Sequence, residues 1–297
     1  MPCLNPIDAW RTPEGIAFKS PKGASSKLDP PMQFPCRNCV GCKVDRSKEW
    51  AVRCMHEASM HQDNMFITLT YNEENLPEDR GLNHDHFKEF MKRLRDNVKY
   101  VNGKKIKYYM CGEYGEEFHR PHYHAIIFGH RMDDCKKMGK YWHSPKLEKL
   151  WGKGFVSIGN VTMESCSYVA RYIMKKITGD LAEDHYKREY LDIETQTFET
   201  TTVKPEYNSM SLRPAIGKEW YEKYGKDIKD NEIHINGKTY YMPKYYLRLL
   251  EKQDPERYRE IIQQREEHAK NNPPDKNKLE ALRHKYKHNF KNERKLK

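Results

Sequence analysis

The sequence predicts an α+β fold with a central antiparallel sheet and helices packed on one side of it, a ferredoxin-like (RRM-like) arrangement. Three observations point there. Between residues 65 and 177 the periodic segments follow the order β-α-β-β-α-β and then one further helix, the element order of that arrangement. The strand candidates are rich in β-branched and aromatic residues. Twenty Tyr and five Trp among 297 residues argue for a packed core rather than a disordered chain.

The elements follow in order. Residues 1–35 are Pro-rich with little periodicity and read as an irregular leader. With a cysteine-rich segment and a helix expected over Val44–Met60, they make up a first segment, 1–60. Segment 61–180 begins with the strand Met65–Tyr71. Asn83 is placed to cap a helix running to Tyr100, with Phe87, Met91, Leu94 and Val98 at helical spacing. An Asn102-Gly103 turn leads to a strand at Lys105–Glu113, followed by a second at His122–Gly129. Ser144-Pro145 reads as a cap and first helical residue for a short helix ending near Trp151. Gly154–Gly159 is again strand-like, and Met163–Ile177 is an amphipathic helix. An accessory region, 181–275, contains a hairpin signal at Ile235-Asn236-Gly237-Lys238 and a helix at Pro243–Lys252. The basic tail, 276–297, holds nine Lys/Arg against two acidic residues and reads as either a DNA-backbone contact or a solvated end.

Charge and composition narrow the function classes. Charged residues make up 33% and the formal net charge is +11, a surface that collects phosphates. No apolar run approaches the ~18 residues a membrane span needs, and Met1–Pro6 lacks the pattern of a secretory signal. Eight Cys in a long chain without an export signal do not suggest a disulfide framework. A cytoplasmic protein with reduced thiols and a nucleic-acid partner is expected. No Gly-x4-Gly-Lys-Ser/Thr loop occurs, so no fused helicase is indicated.

His122 and His124 lie two apart on a strand, so both imidazoles project to one face and Tyr123 to the other. A hairpin to the preceding strand brings Glu113 alongside; Glu116 and Glu117 are nearby alternatives. Two His and a carboxylate suit a divalent metal with open positions. The trio also suits non-haem iron, and two half-exposed His on an edge strand are the plain structural alternative.

On the helix Met163–Ile177, Val169, Ala170, Ile173, Met174 and Ile177 share one face; Tyr168, Arg171, Tyr172 and Lys175 share the opposite one. Tyr168 and Tyr172 are i and i+4, hence neighbours on the surface. A phenol has a pKa near 10 and serves as a covalent nucleophile when a cation assists it; Arg171 and Lys175 are placed to do so. Aromatic residues on a half-exposed helical face also occur with no catalytic role. Cys36, Cys39 and Cys42, with Cys54 downstream, form a candidate structural zinc set, although zinc ligands usually come as two separated pairs. Buried reduced thiols are the alternative.

Phe66–Tyr71, Pro121-His122-Tyr123-His124-Ala125 and Tyr168–Lys175 resemble, in order, the three motifs of the HUH endonuclease superfamily of rolling-circle initiators, relaxases and transposases. Pro35-Cys36…Cys39…Cys42, Glu49–Cys54 and Lys244-Tyr245-Tyr246 extend the resemblance to the replication initiators of gokushoviruses, single-stranded-DNA phages of the microvirus family. The resemblance implies an HUH nickase domain over 61–180 that cuts and rejoins single-stranded DNA through 5′-phosphotyrosyl links. It implies Mg²⁺ or Mn²⁺ on His122, His124 and Glu113, Tyr172 as first and Tyr168 as second nucleophile assisted by Lys175, and DNA contacts from Arg120, Arg171 and Lys176. Implied partners are single-stranded and supercoiled viral DNA at the origin and the host helicase, polymerase and single-strand-binding protein, in the bacterial cytoplasm. A relaxase, a transposase, or a non-catalytic RRM-like binding module with no use for Tyr172 are the competing readings.

Overall fold

The computed structural model describes residues 3–19, 32–98, 106–115, 118–171, 176, 181–191, 196–229, 231–272 and 275–293. They group into two units, one comprising 1–46 and 260–297 and the other 47–259. In chain order the first elements are β1 (Ile7–Thr12), β2 (Gly15–Ala17), β3 (Met32–Phe34) and α1 (Val40–Ser59). β2, β1 and β3 form a three-stranded antiparallel sheet in that order, with Ile7 opposite Phe34 and Thr12 opposite Gly15. The leader expected to be irregular is therefore partly strand. Its strands are too short to show alternation, and β3 is recruited across the chain by pairing that no local pattern reports.

The larger unit is built on β4 (Asn64–Tyr71), α2 (His84–Val98), β5 (Lys107–Tyr114), β6 (Pro121–Phe128), β7 (Lys136–Met138), β8 (Tyr141–His143), α3 (Pro145–Trp151), β9 (Gly154–Gly159) and α4 (Met163–Arg171). After these come α5 (Leu181–Tyr186), β10 (Lys187–Leu191), β11 (Phe198–Thr202), β12 (Tyr207–Met210), α6 (Lys218–Tyr224), β13 (Glu232–Ile235), β14 (Lys238–Tyr241) and α7 (Lys244–Gln253). The last helices are α8 (Pro255–Asn271) and α9 (Lys276–Glu293), so most of the predicted basic tail is helical.

Seven strands make one antiparallel sheet in the order β12-β5-β6-β4-β9-β8-β7. Its centre, β5-β6-β4-β9, has the strand order of the ferredoxin-like fold, with β12 added at one edge and the β7–β8 hairpin at the other. The predicted local signals account for several boundaries. Asn83 Oδ1 accepts from the Asp85 N–H (3.0 Å) at the start of α2. Ser144 Oγ accepts from the Leu147 N–H (3.0 Å) at the start of α3, ahead of Pro145. Asn236 and Gly237 take φ of 49° and 71°, the left-handed pair that closes a tight hairpin between β13 and β14.

The sheet is covered on both faces, not on one as expected. On one face Phe87, Phe90, Met91 and Leu94 of α2 and Leu147 and Trp151 of α3 pack on Ile67, Leu69, Tyr123 and Ile127. Trp151 is fully buried and its indole N–H donates to the Thr70 carbonyl (3.1 Å). On the other face Ala51 and Cys54 of α1 and Cys166, Val169 and Ala170 of α4 pack on Tyr109, Cys111, Ile126 and Phe128. The reason lies in β5 and β6, which carry apolar residues at both odd and even positions, so that neither face can be left in water. No helix among the described residues is long and apolar enough to cross a membrane.

Candidate active site

β5 and β6 pair so that Glu113 stands opposite His122 and Cys111 opposite His124. Period-two alternation then puts Glu113, His122 and His124 on the face covered by α4, while Tyr123 turns to the α2 face. Glu113 Oε1 lies 2.8 Å from Nε2 of His122 and 2.8 Å from Nε2 of His124. Glu113 and His124 are buried and His122 is half-buried. Burial raises the Glu113 carboxyl, but hydrogen bonding and charge from the two imidazoles outweigh it and hold the group down to about 2. The carboxylate is thus anionic at neutral pH, held by the two imidazoles in a largely buried site.

Outer contacts orient both rings. His122 Nδ1 donates to the Arg120 carbonyl (3.0 Å), an acceptor only, which leaves Nε2 as the ligating nitrogen. His124 Nδ1 lies 2.9 Å from Thr68 Oγ1 on the neighbouring strand β4, and Phe66 stacks nearly parallel to the His124 ring at 5.8 Å. Thr68 was not singled out in the sequence as a site residue. Its position inside the first motif strand was the available signal, since β4–β6 pairing sets Thr68 opposite His124.

Octahedral coordination at about 2.1 Å separates adjacent donors by about 3 Å, close to the spacings of Glu113 to each imidazole. The three ligand atoms lie within 4.8 Å of one another, so this donor set fits a divalent ion. Two nitrogens and a carboxylate favour Mn²⁺ over the oxygen-preferring Mg²⁺.

α4 brings a phenol to this cluster. The Tyr168 ring meets His124 edge-to-face at 5.0 Å and Phe66 at 6.2 Å. The helix is held there by its buried Cys166, Val169 and Ala170. Asn208 Nδ2 also donates to the Val169 carbonyl (3.3 Å), and Ser47 Oγ to that of Ser167 (3.3 Å). Arg171 is exposed, as is Lys176. Tyr172 and Lys175, and the alternative ligands Glu116 and Glu117, lie outside the described residues. Arg120, expected at the DNA, has its guanidinium engaged within the chain by Glu73 Oε1 (2.5 Å) and the Tyr71 carbonyl (3.2 Å).

The predicted thiol set is not brought together as expected. Cys36, Cys39 and Cys42 cluster, but their fourth member is Cys3 and not Cys54. Cys42 and Cys54 both lie on α1, twelve residues apart, which at 1.5 Å per residue is about 18 Å along the helix. Cys54 is fully buried in the core with Cys166.

Residues 64–177 match the family described as replication-associated protein ORF2/G2P. The chain is 35% identical over 272 residues to replication-associated protein VP4 of Bdellovibrio phage phiMH2K, covering 88% of this chain and 80% of that protein. It is 34% identical to replication-associated protein ORF4 of Chlamydia phage 1, over 74% of this chain and 54% of that protein. It is 29% identical to replication-associated protein ORF2 of Spiroplasma virus 4, over 90% and 86% respectively. No solved structure matches. The matched segment begins with β4 and includes both His-x-His and the tyrosine helix, so the likeness extends over the site as well as the fold: the chain belongs to the family of microvirus replication-associated proteins.

Proposed function

We propose that this replication initiator nicks and rejoins one DNA strand at the viral origin, using tyrosine nucleophiles beside a divalent metal. The observation that carries this reading is the placement of Tyr168 over His124, whose Nε2 shares Glu113 Oε1 with His122. Bound there, Mn²⁺ or Mg²⁺ would withdraw charge from a non-bridging oxygen of the scissile phosphate and orient it. Glu113, His122 and His124 supply the ligand set, and Thr68 and the Arg120 carbonyl hold the imidazoles in the ligating orientation. A phenol oxygen of Tyr168 or Tyr172 attacks phosphorus, the P–O3′ bond breaks, and the departing oxygen takes a proton to leave a free 3′-OH. The strand end is then a 5′-phosphotyrosyl ester. Attack by a 3′-OH on that ester restores the phosphodiester and frees the phenol, so no ATP is consumed. Two tyrosines allow a second cut while the first link persists. Arg171, at the end of α4, and the exposed Lys176 would hold the DNA backbone through their charge. The free 3′-OH would be extended by a host polymerase, with host helicase and single-strand-binding protein handling the displaced strand.

The test is adduct formation on a denaturing gel with labelled single-stranded oligonucleotides containing the phage origin. Wild type with Mn²⁺ should form a chelator-sensitive covalent band, reduced in Tyr168→Phe and Tyr172→Phe and absent from the double variant. A band that survives the double substitution, or origin binding with no adduct under any metal, would sink the proposal and leave the binding-module reading.

A further inference from the structure

We propose that Cys3, Cys36, Cys39 and Cys42 hold a structural zinc ion, separate from the catalytic metal, that ties the N-terminus to the start of α1. Their four sulfurs lie within 4.8 Å of one another, and Cys3 Sγ is 3.7 Å from Cys39 Sγ. A disulfide would need about 2.05 Å, whereas a tetrahedron of thiolates at 2.3 Å from zinc has edges of about 3.8 Å. The spacing is that of ligands around an ion.

The backbone around the sulfurs is arranged for thiolates. The Cys36 N–H donates to Cys3 Sγ (3.2 Å), the Cys39 N–H to Cys36 Sγ (3.3 Å) and the Leu4 N–H to Cys39 Sγ (3.3 Å). Such donors offset the negative charge that four thiolates leave around a divalent ion. Arg37 takes a left-handed φ of 65°, an uncommon conformation for a bulky residue; it reverses the chain between Cys36 and Cys39 so that the Cys39 N–H reaches back. Cys39 and Cys42 flank the first residues of α1, whose helix dipole favours anionic sulfur.

The spacing Cys-x2-Cys-x2-Cys falls one ligand short of a zinc site along the chain, and Cys3 supplies it from 33 residues upstream. This closes a long loop that runs through the short strands β1–β3. The same corner is braced by α9: Arg283 Nη2 donates to the Leu4 carbonyl (2.5 Å) and to Asn5 Oδ1 (3.0 Å). All four cysteines are half-buried, so zinc can reach them and remain partly shielded. On loading, the thiols release their protons to solvent, with no change of oxidation state.

The experiment is metal analysis of the full chain, expressed in zinc-supplemented medium and gel-filtered without chelator. Wild type, Cys3→Ser, Cys54→Ser and a His122→Ala/His124→Ala variant are compared. Equimolar zinc is expected in wild type, Cys54→Ser and the His variant, and its loss is expected in Cys3→Ser. Cys3→His should restore it, because imidazole is also a zinc ligand. Should Cys3→Ser fail to fold, Co²⁺-substituted wild type decides: thiolate-to-cobalt charge-transfer absorption with tetrahedral d–d bands supports the site. Zinc absent from wild type, retained by Cys3→Ser, or lost with the His pair would overturn the proposal. So would iron in zinc's place, or cobalt lacking thiolate charge transfer.

Discussion

Replacing Thr68 with Val tests whether the metal site depends on how His124 is held. In the structure Thr68 Oγ1 lies 2.9 Å from His124 Nδ1 in a site where His124 is 5% exposed. Ligation through Nε2 requires the proton on Nδ1, and Thr68 is the acceptor the structure puts there. Val keeps the shape and removes the acceptor. A buried N–H left without a partner costs about 1–3 kcal/mol, which at about 1.4 kcal/mol per tenfold is roughly 5–150-fold in affinity. Outer-sphere substitutions at His-ligated metals fall in the same range, about 10–100-fold. The assay is Mn²⁺ binding by calorimetry together with the Mn²⁺ dependence of adduct formation. Thr68→Val should need some tens of times more Mn²⁺ for half-maximal adduct yet approach the wild-type rate at saturation; Thr68→Ser should restore the affinity. Unchanged Mn²⁺ affinity in Thr68→Val, or a Ser variant as weak as Val, would refute the assigned hydrogen bond and the ligating orientation built on it.

Glu113→Gln removes the anionic ligand and should weaken Mn²⁺ binding by more than the roughly hundredfold ceiling of an outer-sphere change, read by the same titration. His56 is stacked against Trp220 at 3.4 Å and Tyr246 at 5.7 Å, and burial lowers its pKa from 6.5 to about 3. The unfolded chain therefore binds a proton between these values that the folded chain excludes. Stability is retained above pH 6.5 and falls as pH drops, by at most about 1.4 kcal/mol per unit. In urea unfolding, the stability lost between pH 6.5 and pH 5 should be larger in wild type than in His56→Phe by about 1.5–2 kcal/mol, the loss that remains coming from His84, His86, His119 and His130, whose pKa values burial also lowers. Gly154 has φ of 139°, and an added Cβ would lie 2.3 Å from Asn72 N and 2.4 Å from the Thr70 carbonyl. Gly154→Ala should cost about 3 kcal/mol or more through strain and backbone displacement at the β4–β9 pairing, seen as a lowered Tm; an unchanged Tm would contradict the geometry.

Much of the site was legible because its signals are short-range. Two His separated by one residue must share a face once they lie on a strand, and a hairpin of antiparallel strands must return Glu113 near them. The caps at Asn83 and Ser144 and the Asn236-Gly237 turn are chemistry of adjacent residues, and they set element ends as expected. Thr68 was hidden because its role depends on the register of β4 against β6, strands separated by nearly fifty residues. Cys54 misled because cysteine spacing says nothing of helix rise, and α1 carries Cys54 about 18 Å beyond Cys42.

The sequence alone determined the order of β4, α2, β5, β6, α3, β9 and α4, the face shared by His122 and His124, and the apolar stripe that anchors α4 with Tyr168 outside it. These follow from periods of 2.0 and 3.6 residues imposed by backbone geometry. Tertiary structure decided that α1 and α4 close the second face of the sheet, that Tyr168 stands over His124, that Thr68 orients that imidazole, and that Cys3 joins the three downstream thiols. Each of these pairs residues distant in the chain, and their meeting is set by which surfaces must leave water together, a property of the whole core that no local window of sequence contains.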